Sequence, residues 1–495
     1  MTGLFERTLL SVMPAWAERR ALARARISAL ETATALYEGA AQSWRTNGWR
    51  TANTSANAEI QVSLARLRGV SRDLRRNNAT AANCVTVIGS NVVGSGIMPT
   101  FDIKRKRVAT AFAALVKAHL ETPAIDFDGR HDYYGLQRLA IDTVVDSGEA
   151  LIVRYVPPVR LRLAVPLQVR VLDPDFLDTS KSGPLSDGGA VFEGIEVDAF
   201  GRRVAYWLFD EHPGGGLTWK LPASRRVPAG DVIHVYRQDR PGQMRGVPWC
   251  APVIVTMRDL HDYEDADLVR QKIAACFAVF LKGADQARNL GQLVDGQKSR
   301  VGNIVEKLEP GLIQRLPDGV EATFATPPTV SGQNDFVISK LHRICSGYGV
   351  PFELATGILK EVSFISGRIG KQQFNLNVDQ WRWHMMIPHV CDGIVGWFKE
   401  AAAISIGASL DDVTVKHTPP KREMLEPSKE VPAMRDAIRS GLMSQSEAIR
   451  SLGDDPAIVF AEIADDNKEM DRLGIMTDSD ARRPPNWKPE QPEKK

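Results

Sequence analysis

The residue types that could do chemistry are few and scattered. In "LDPDFLDTSKSG", Asp173 and Asp175 occupy the first and third positions of a calcium-loop register. The fifth is Leu177, the sixth is Asp178 where glycine must turn, and the twelfth is Pro184 where a bidentate glutamate is needed, so that geometry fails. A strand-end turn fixed by Asp-Pro is expected instead. His234 in "DVIHVYR" would act as a base only if a serine and a carboxylate converged on it, and a lone strand histidine reads as structural. His384 and His389 stand five apart, which on an α-helix puts them on different faces, and no H-E-x-x-H occurs. Asp259, Asp262, Glu264, Asp265 and Asp267 in "RDLHDYEDADLVRQK" spread over more than two helical turns, the pattern of a solvated face and not of a tuned acid–base pair. The phosphate-cradling G-x-x-x-x-G-K-[ST] is absent: Gly370-Lys371 is followed by Gln372 and lacks the upstream glycine. No catalytic group, metal or cofactor is expected.

Charge narrows the partners. With 62 basic and 60 acidic residues the chain carries a formal +2, so nothing favours a monomer that coats nucleic acid. Five cysteines (Cys84, Cys250, Cys276, Cys345, Cys391) form no C-x-x-C pair and read as reduced thiols of a cytoplasmic protein. Met1 to Ala40 threads arginines through its apolar residues, unlike a secretory signal. The run "AACFAVFL" (Ala274 to Leu281) is far short of the ~20 residues that span a bilayer, so no membrane contact is expected.

Helical periodicity dominates the first 120 residues, ending in the glycine-punctuated "VIGSNVVGSGIMP", and returns from Tyr133 to Asp146. Then come short β-branched runs: "ALIVRY", "LQVRVL", "GIEVDAFGRRVAYWLF" with a reversal at "DAFGR", and "DVIHVYR". A polar elbow, "RQDRPGQMRGVPW", follows. From Trp249 to Leu281 the pattern predicts one rod of ~45–50 Å, whose apolar positions Met257, Leu260, Tyr263 and Leu268 only partly fill a stripe. Lys282 to Thr329 reads as a small α/β insert, and a second helix runs from about Asp335 to Tyr348. After the loop "FELATGILKEVSFISG", an aromatic-rich helix from about Gly367 to Lys399 is predicted, with Trp381, Trp383, Trp397 and Phe398 packed deeply. Past Pro419-Pro420 lies a helical cluster begun by the cap-like Ser444, then a proline- and charge-rich tail, 481–495, expected to be disordered. The chain reads as α+β.

Two functional classes stay open on these residues alone. One is a metal-dependent nuclease or hydrolase on the β-rich part, using the scattered Asp and His. The other is a monomeric basic DNA-binding module over residues 1–80, with Trp44 and Trp49 as stacking platforms among Arg45 and Arg50.

"RNNATAANCVTVIGSNVVGSGIMP", "LQVRVLDPDFLD", "GIEVDAFGRRVAYWLF", "DVIHVYRQDRPGQMRGVPWCAPVI" and "GVPFELATG", in this order, resemble the lambda-type portal proteins of tailed bacteriophages, from roughly Arg72 to Arg382. One element departs: where that family has Tyr-Ser-Ser-x-Arg, this chain has Phe364-Ile365-Ser366-Gly367-Arg368. The resemblance implies a ring-shaped homo-oligomer, a dodecamer, at one capsid vertex, assembled in the host cytoplasm and retained in the virion. Double-stranded DNA would pass through it, and terminase, a head-tail adaptor and capsid or scaffold proteins would dock on it. It implies a portal fold divided as N-terminal helical region and wing (1–247), first stem helix (248–281), clip (282–330) and second stem helix (331–350). A tunnel loop (351–366), wing helix and return (367–425), crown (426–480) and tail would follow.

Under that resemblance the acidic residues Asp259, Asp262 and Asp265 would face the lumen. Lys360, Ser366, Arg368 and Lys371 would lie at the tunnel loop, making sparse phosphate contacts. Arg288, Lys298, Arg300 and Lys307 of the clip would meet the packaging motor and then the adaptor.

Overall fold

The structure, a computed structural model, describes residues 53–215, 223–275, 279–282, 321–324, 333–360, 362–424 and 426–475, with Arg19, 22–27 and 47–49. The chain divides into two units, Met1–Ala58 and Glu59–Lys495. In the first, residues 22–27 are helical and Ser55 Oγ accepts from the Ala58 amide at 3.3 Å, a side-chain cap at the entry to α1 (Ala56–Asn77).

Asn78 breaks the helix and starts the next: its Oδ1 accepts from the Ala81 amide at 2.9 Å and opens α2 (Ala79–Val92). Ala81, Cys84, Val85, Ile88 and Val92 recur at helical spacing, and all are buried. Strand β1 (Met98–Asp102) and α3 (Lys106–Leu115) follow. In α4 (Tyr133–Ser147), Asp132 caps the Gly135 amide at 2.8 Å, and Gly148, at φ +92°, turns the chain out of the helix.

Alternating β-branched residues then build two antiparallel sheets. In the first, β2 (Glu149–Tyr155) lies between β3 (Gln168–Leu172) and β9 (Val232–Tyr236), with Leu151 opposite both Leu172 and His234. The second is a meander of β4 (Gly183–Pro184), β5 (Ala190–Phe192), β6 (Ile195–Val197), β7 (Arg203–Phe209) and β8 (Ser224–Pro228). "DAFGR" is the β6–β7 reversal, with Gly201 at φ +81°. A small core of Leu151, Val153, Leu172, Ile195, Tyr206 and Leu208 joins the two sheets. The main core packs α2, α4 and the inner face of β2 against the later helices.

After the elbow, α5 runs from Ile254 to Ala275, about 33 Å at 1.5 Å per residue. The expected rod to Leu281 is therefore too long. Val279–Lys282 is strand β10, paired antiparallel with β11 (Glu321–Phe324), because Val and Phe favour a pleated pairing over a helix that has already left the core. Helix α6 (Gln333–Tyr348) starts two residues before the expected Asp335, and a short α7 (Phe352–Thr356), closed by Gly357 at φ +72°, occupies the expected loop.

Helix α8 (Phe364–Trp381) also begins earlier than Gly367, because Ser363 caps the Ser366 amide at 3.1 Å. The expected continuous helix to Lys399 is interrupted: Arg382–Cys391 is a π-helical segment containing Pro388, before α9 (Asp392–Ile406). Proline lacks an amide hydrogen, and the wider turn absorbs it without ending the rod. Trp397 and Phe398 are buried as expected, but Trp383 is 52% exposed. Arg382 is buried and donates to the carbonyls of Val92 at 2.8 Å and Asn91 at 2.7 Å, covering the open C-terminus of α2; burial pushes its pKa down to about 10.

Strand β12 (Thr414–Thr418) returns to pair with β1. Helices α10 (Pro427–Arg439), α11 (Gln445–Ser451) and α12 (Pro456–Leu473) close the described chain, Ser444 capping α11 as its sequence predicts. No helix among the described residues is long and apolar enough to cross a membrane.

Candidate functional site

The elbow is built around one carboxylate. Glu149, first residue of β2, is fully buried and accepts from Arg245 Nε at 2.9 Å and Nη2 at 2.6 Å, both on Oε1. Its Oε2 accepts from the Gly246 amide at 2.8 Å and lies 3.0 Å from His234 Nε2. Arg68 of α1 reaches Oε1 at 3.0 Å, and Arg245 Nη1 donates to Glu193 at 2.9 Å. Burial alone would raise the Glu149 pKa. Arg245, His234 and Arg68 outweigh it and hold the carboxyl well below its usual range, whereas burial keeps His234 below the ordinary imidazole value.

Backbone geometry fits this node tightly. A Cβ on Gly246 would stand 2.1 Å from the Gly148 carbonyl oxygen, so the elbow passes β2 at glycine-only distance. Glu193 takes φ +45°, a strained value for a non-glycine residue, to present its carboxylate to Arg245. Arg68 and Arg72 continue the network to Asp175, and Arg72 also pairs with Asp173. Asp173 Oδ1 accepts from the Asp175 amide at 3.0 Å, which is the Asp-Pro turn predicted for this stretch. Asp173, Asp175 and His212 offer ligand atoms within 4.8 Å of one another, but the two arginines already neutralise both carboxylates.

Beyond the elbow, α5 and α6 lie antiparallel. Val253, just ahead of α5, sits against Gly347, where a Cβ would meet its Cγ1 at 2.3 Å. Tyr263 and Phe336 rings lie 4.8 Å apart, and Gln333 bonds both Asp267 and Arg270. Met257 and Leu260 are buried, and past Leu260 no described side chain of α5 is. Asp259, Asp262 and Asp265 are exposed; Asp262 pairs with Arg258 at 3.0 Å and Asp265 with His261 at 3.6 Å.

Lys360 is exposed in the turn before α8. Ser366 uses its hydroxyl within the helix cap, donating to the Ser363 carbonyl at 3.0 Å. Arg368 and Lys371, one turn apart, line a 340 Å³ crevice with Arg422, Glu430 and Leu452, and Arg368 lies 3.6 Å from Glu426. The structure thus brings Arg368 and Lys371 together. Arg288, Lys298, Arg300 and Lys307 lie outside the described residues, as do Trp44, Arg45, Arg50, Cys276 and the 481–495 tail.

Sequence reasoning missed Glu149, Arg68 and Glu193. The one available signal was a glutamate opening the apolar run of a strand, "EALIV". It also separated His384 from His389. In the π-helical segment, with i→i+5 bonding, residues five apart return to one face, and both line the same cleft.

A relative from Halomonas phage phiHAP-1, described as "Probable portal protein", is 25% identical over 467 residues, covering 90% of this chain and 88% of its own. Among solved structures, a chain of the neck of a native gene transfer agent (GTA) particle computed with C12 symmetry superposes at TM-score 0.44. It has 16% identity over 80% of this chain and 93% of that one. A chain of the virion of a native GTA particle gives 0.43, with 16% identity over 82% and 95%. Residues 42–382 match the family described as "Phage portal protein, lambda family", which places the resemblance of the individual motifs in one continuous alignment over most of the chain. The chain is a portal protein and belongs to the lambda family of phage portal proteins.

Proposed function

We propose that copies of this chain, twelve to a ring, enclose a channel at one vertex of a phage head through which double-stranded DNA enters and later leaves. Family membership over residues 42–382 carries this reading. The α5/α6 pair supports it: past Leu260 none of the described side chains of polar α5 is buried, and α6 covers one side of it, leaving a surface that neighbouring copies can pack. In this reading α5 and α6 are the stem, residues 282–330 the clip, the sheets with α8 and α9 the wing, and α10–α12 the crown. The motor's large terminase subunit and then the head-tail adaptor dock at the clip, through Arg288, Lys298, Arg300 and Lys307.

The charge pattern suits a conduit. Duplex DNA carries one charge per ~1.7 Å, and every phosphate neutralised by lysine or arginine releases counterions and tightens binding. Rings of Asp259, Asp262 and Asp265 facing the lumen keep the duplex centred and ungripped. Lys360, in the loop between α6 and α8, and Arg368 and Lys371, near the start of α8, make brief phosphate contacts. Negative-stain images of the purified chain test the reading: rings with a central opening are expected, and compact single molecules at every concentration overturn it.

A further inference from the structure

A cleft of about 680 Å³ lies between the sheet side of the elbow and the π-helical segment. One wall is Arg203, His234 and Tyr236; the other is Gln380, His384 and His389. Arg203 is half-buried, and among the described residues no carboxylate lies within ion-pair distance of it. Its guanidinium donates to the Tyr236 hydroxyl, to Tyr206 at 3.5 Å and to the Met244 carbonyl at 3.4 Å. The Tyr236 hydroxyl in turn donates to the Gln243 carbonyl at 2.7 Å, so its orientation is fixed with a lone pair toward Arg203.

The other charged groups of the cleft cancel. Arg237 is clasped by Asp239 at 2.8 and 3.2 Å, which leaves Arg203 as a guanidinium with no counter-charge facing a polar hollow. Surrounding protein and the charge of Arg203 lower the pKa of His389, so that imidazole enters the cleft neutral and able to donate one hydrogen bond. A π-helical segment is a costly departure from regular helix that recurs at functional sites, and here it is what sets His384 and His389 on one wall.

We propose that this cleft binds an oxyanion, a phosphate or carboxylate group, with Arg203 as its charge partner and Gln380, His384 and His389 as donors. Guanidinium presents a planar fork matched to such groups, and the volume falls in the range of ligand sites. Two sources share this chemistry: phosphate in solution, and an acidic side chain of a second copy in an assembled ring.

Modification of arginines by phenylglyoxal in the full native chain, read at Arg203 by peptide mass spectrometry, tests the proposal without a variant. Inorganic phosphate is compared with chloride at equal ionic strength, for single chains and for rings separated by size. If phosphate is the occupant, it slows modification of Arg203 in single chains and in rings alike, by about tenfold at saturation. If a neighbouring carboxylate is the occupant, assembly alone gives that protection, and phosphate shifts rings toward single chains. Calorimetric phosphate binding that is lost in Arg203→Gln and partly kept in Arg203→Lys supports either source. Equal modification with and without phosphate, in single chains and in rings, overturns the proposal.

Discussion

Arg245 Nη2 lies 2.6 Å from Glu149 Oε1, and neither side chain reaches solvent. The residues stand 96 apart in sequence, one in the elbow and one at the start of β2, and their contact fixes the direction in which the chain leaves the sheet for α5. The elbow is thus anchored at Arg245 by a buried electrostatic joint.

Removing one partner strands the other charge. Arg245→Met leaves Glu149 with Arg68, His234 and the Gly246 amide, and Glu149→Gln deprives both arginines of their shared anion. Each is expected to lower unfolding free energy by about 3–5 kcal/mol, the cost of breaking a buried pair. Urea unfolding measures this, and a loss below about 1 kcal/mol would show that the joint is dispensable.

Acid acts through the same node. Burial sets the folded pKa of His234 below the unfolded value of about 6.5, so as pH falls through that value the unfolded chain takes up a proton that the folded chain refuses. Stability therefore declines from about pH 6.5 downward until the folded pKa is passed. His119 and His389 shift in the same direction and add to the slope. Glu149, held well below its ordinary value, contributes stability above about pH 4.3 that is lost on stronger acidification. Denaturation midpoints should be lower at about pH 5.5 than at about pH 7.5, and His234→Gln, which keeps a donor for Glu149, should flatten the difference.

Gly246→Ala tests the close passage at the elbow. Its methyl would overlap the Gly148 carbonyl oxygen and Tyr236 Cβ, at 2.1 and 2.6 Å, and backbone has little room to yield. A loss of about 2 kcal/mol or more in thermal or urea unfolding is expected, against a gain of about 0.5–1 kcal/mol for alanine at Gly370, inside α8, where nothing lies within 4 Å.

Charge on the helix pair and near the loop should matter to transit and not to folding. Asp259→Asn, Asp262→Asn and Asp265→Asn remove exposed charges, so unfolding free energy should change by less than about 0.5 kcal/mol each. The triple variant should still form rings yet slow DNA packaging or ejection in an in vitro filling assay. Gln at Lys360, Arg368 and Lys371 should also spare the ring while altering DNA retention. Loss of the ring in either set would assign those residues to contacts between copies.

Local signals were readable and distant pairings were not. The helix expected from Tyr133 to Asp146 is α4, one residue longer, and the β-branched runs fall on β2, β3, β7 and β9. Such signals need only neighbouring residues. The end of α5 was misjudged because an apolar run such as "AACFAVFL" fits helix or strand equally, and its pairing partner Glu321–Phe324 lies some forty residues on. The sequence suggests a start for α8 at Gly367, because Ser363 and Ser366 resemble any polar loop until one caps the other. The convergence of Arg68, Glu149, Glu193 and Arg245 was invisible, since each contributes a single charge from a different element. His384 and His389 were separated by assuming regular helix across Pro388.

The two long helices meet differently at their two ends. Near the elbow, Val253 fills the space that a side chain at Gly347 would need, and close-packed matter scarcely compresses. At the other end, Asp267, Arg270 and Gln333 are laced by hydrogen bonds that can exchange with water. Such a hairpin behaves as a strut with a rigid foot and a compliant tip: a load along its axis arrives undiminished as thrust on the Glu149 joint, while a sideways load is spent in re-forming polar contacts far from it.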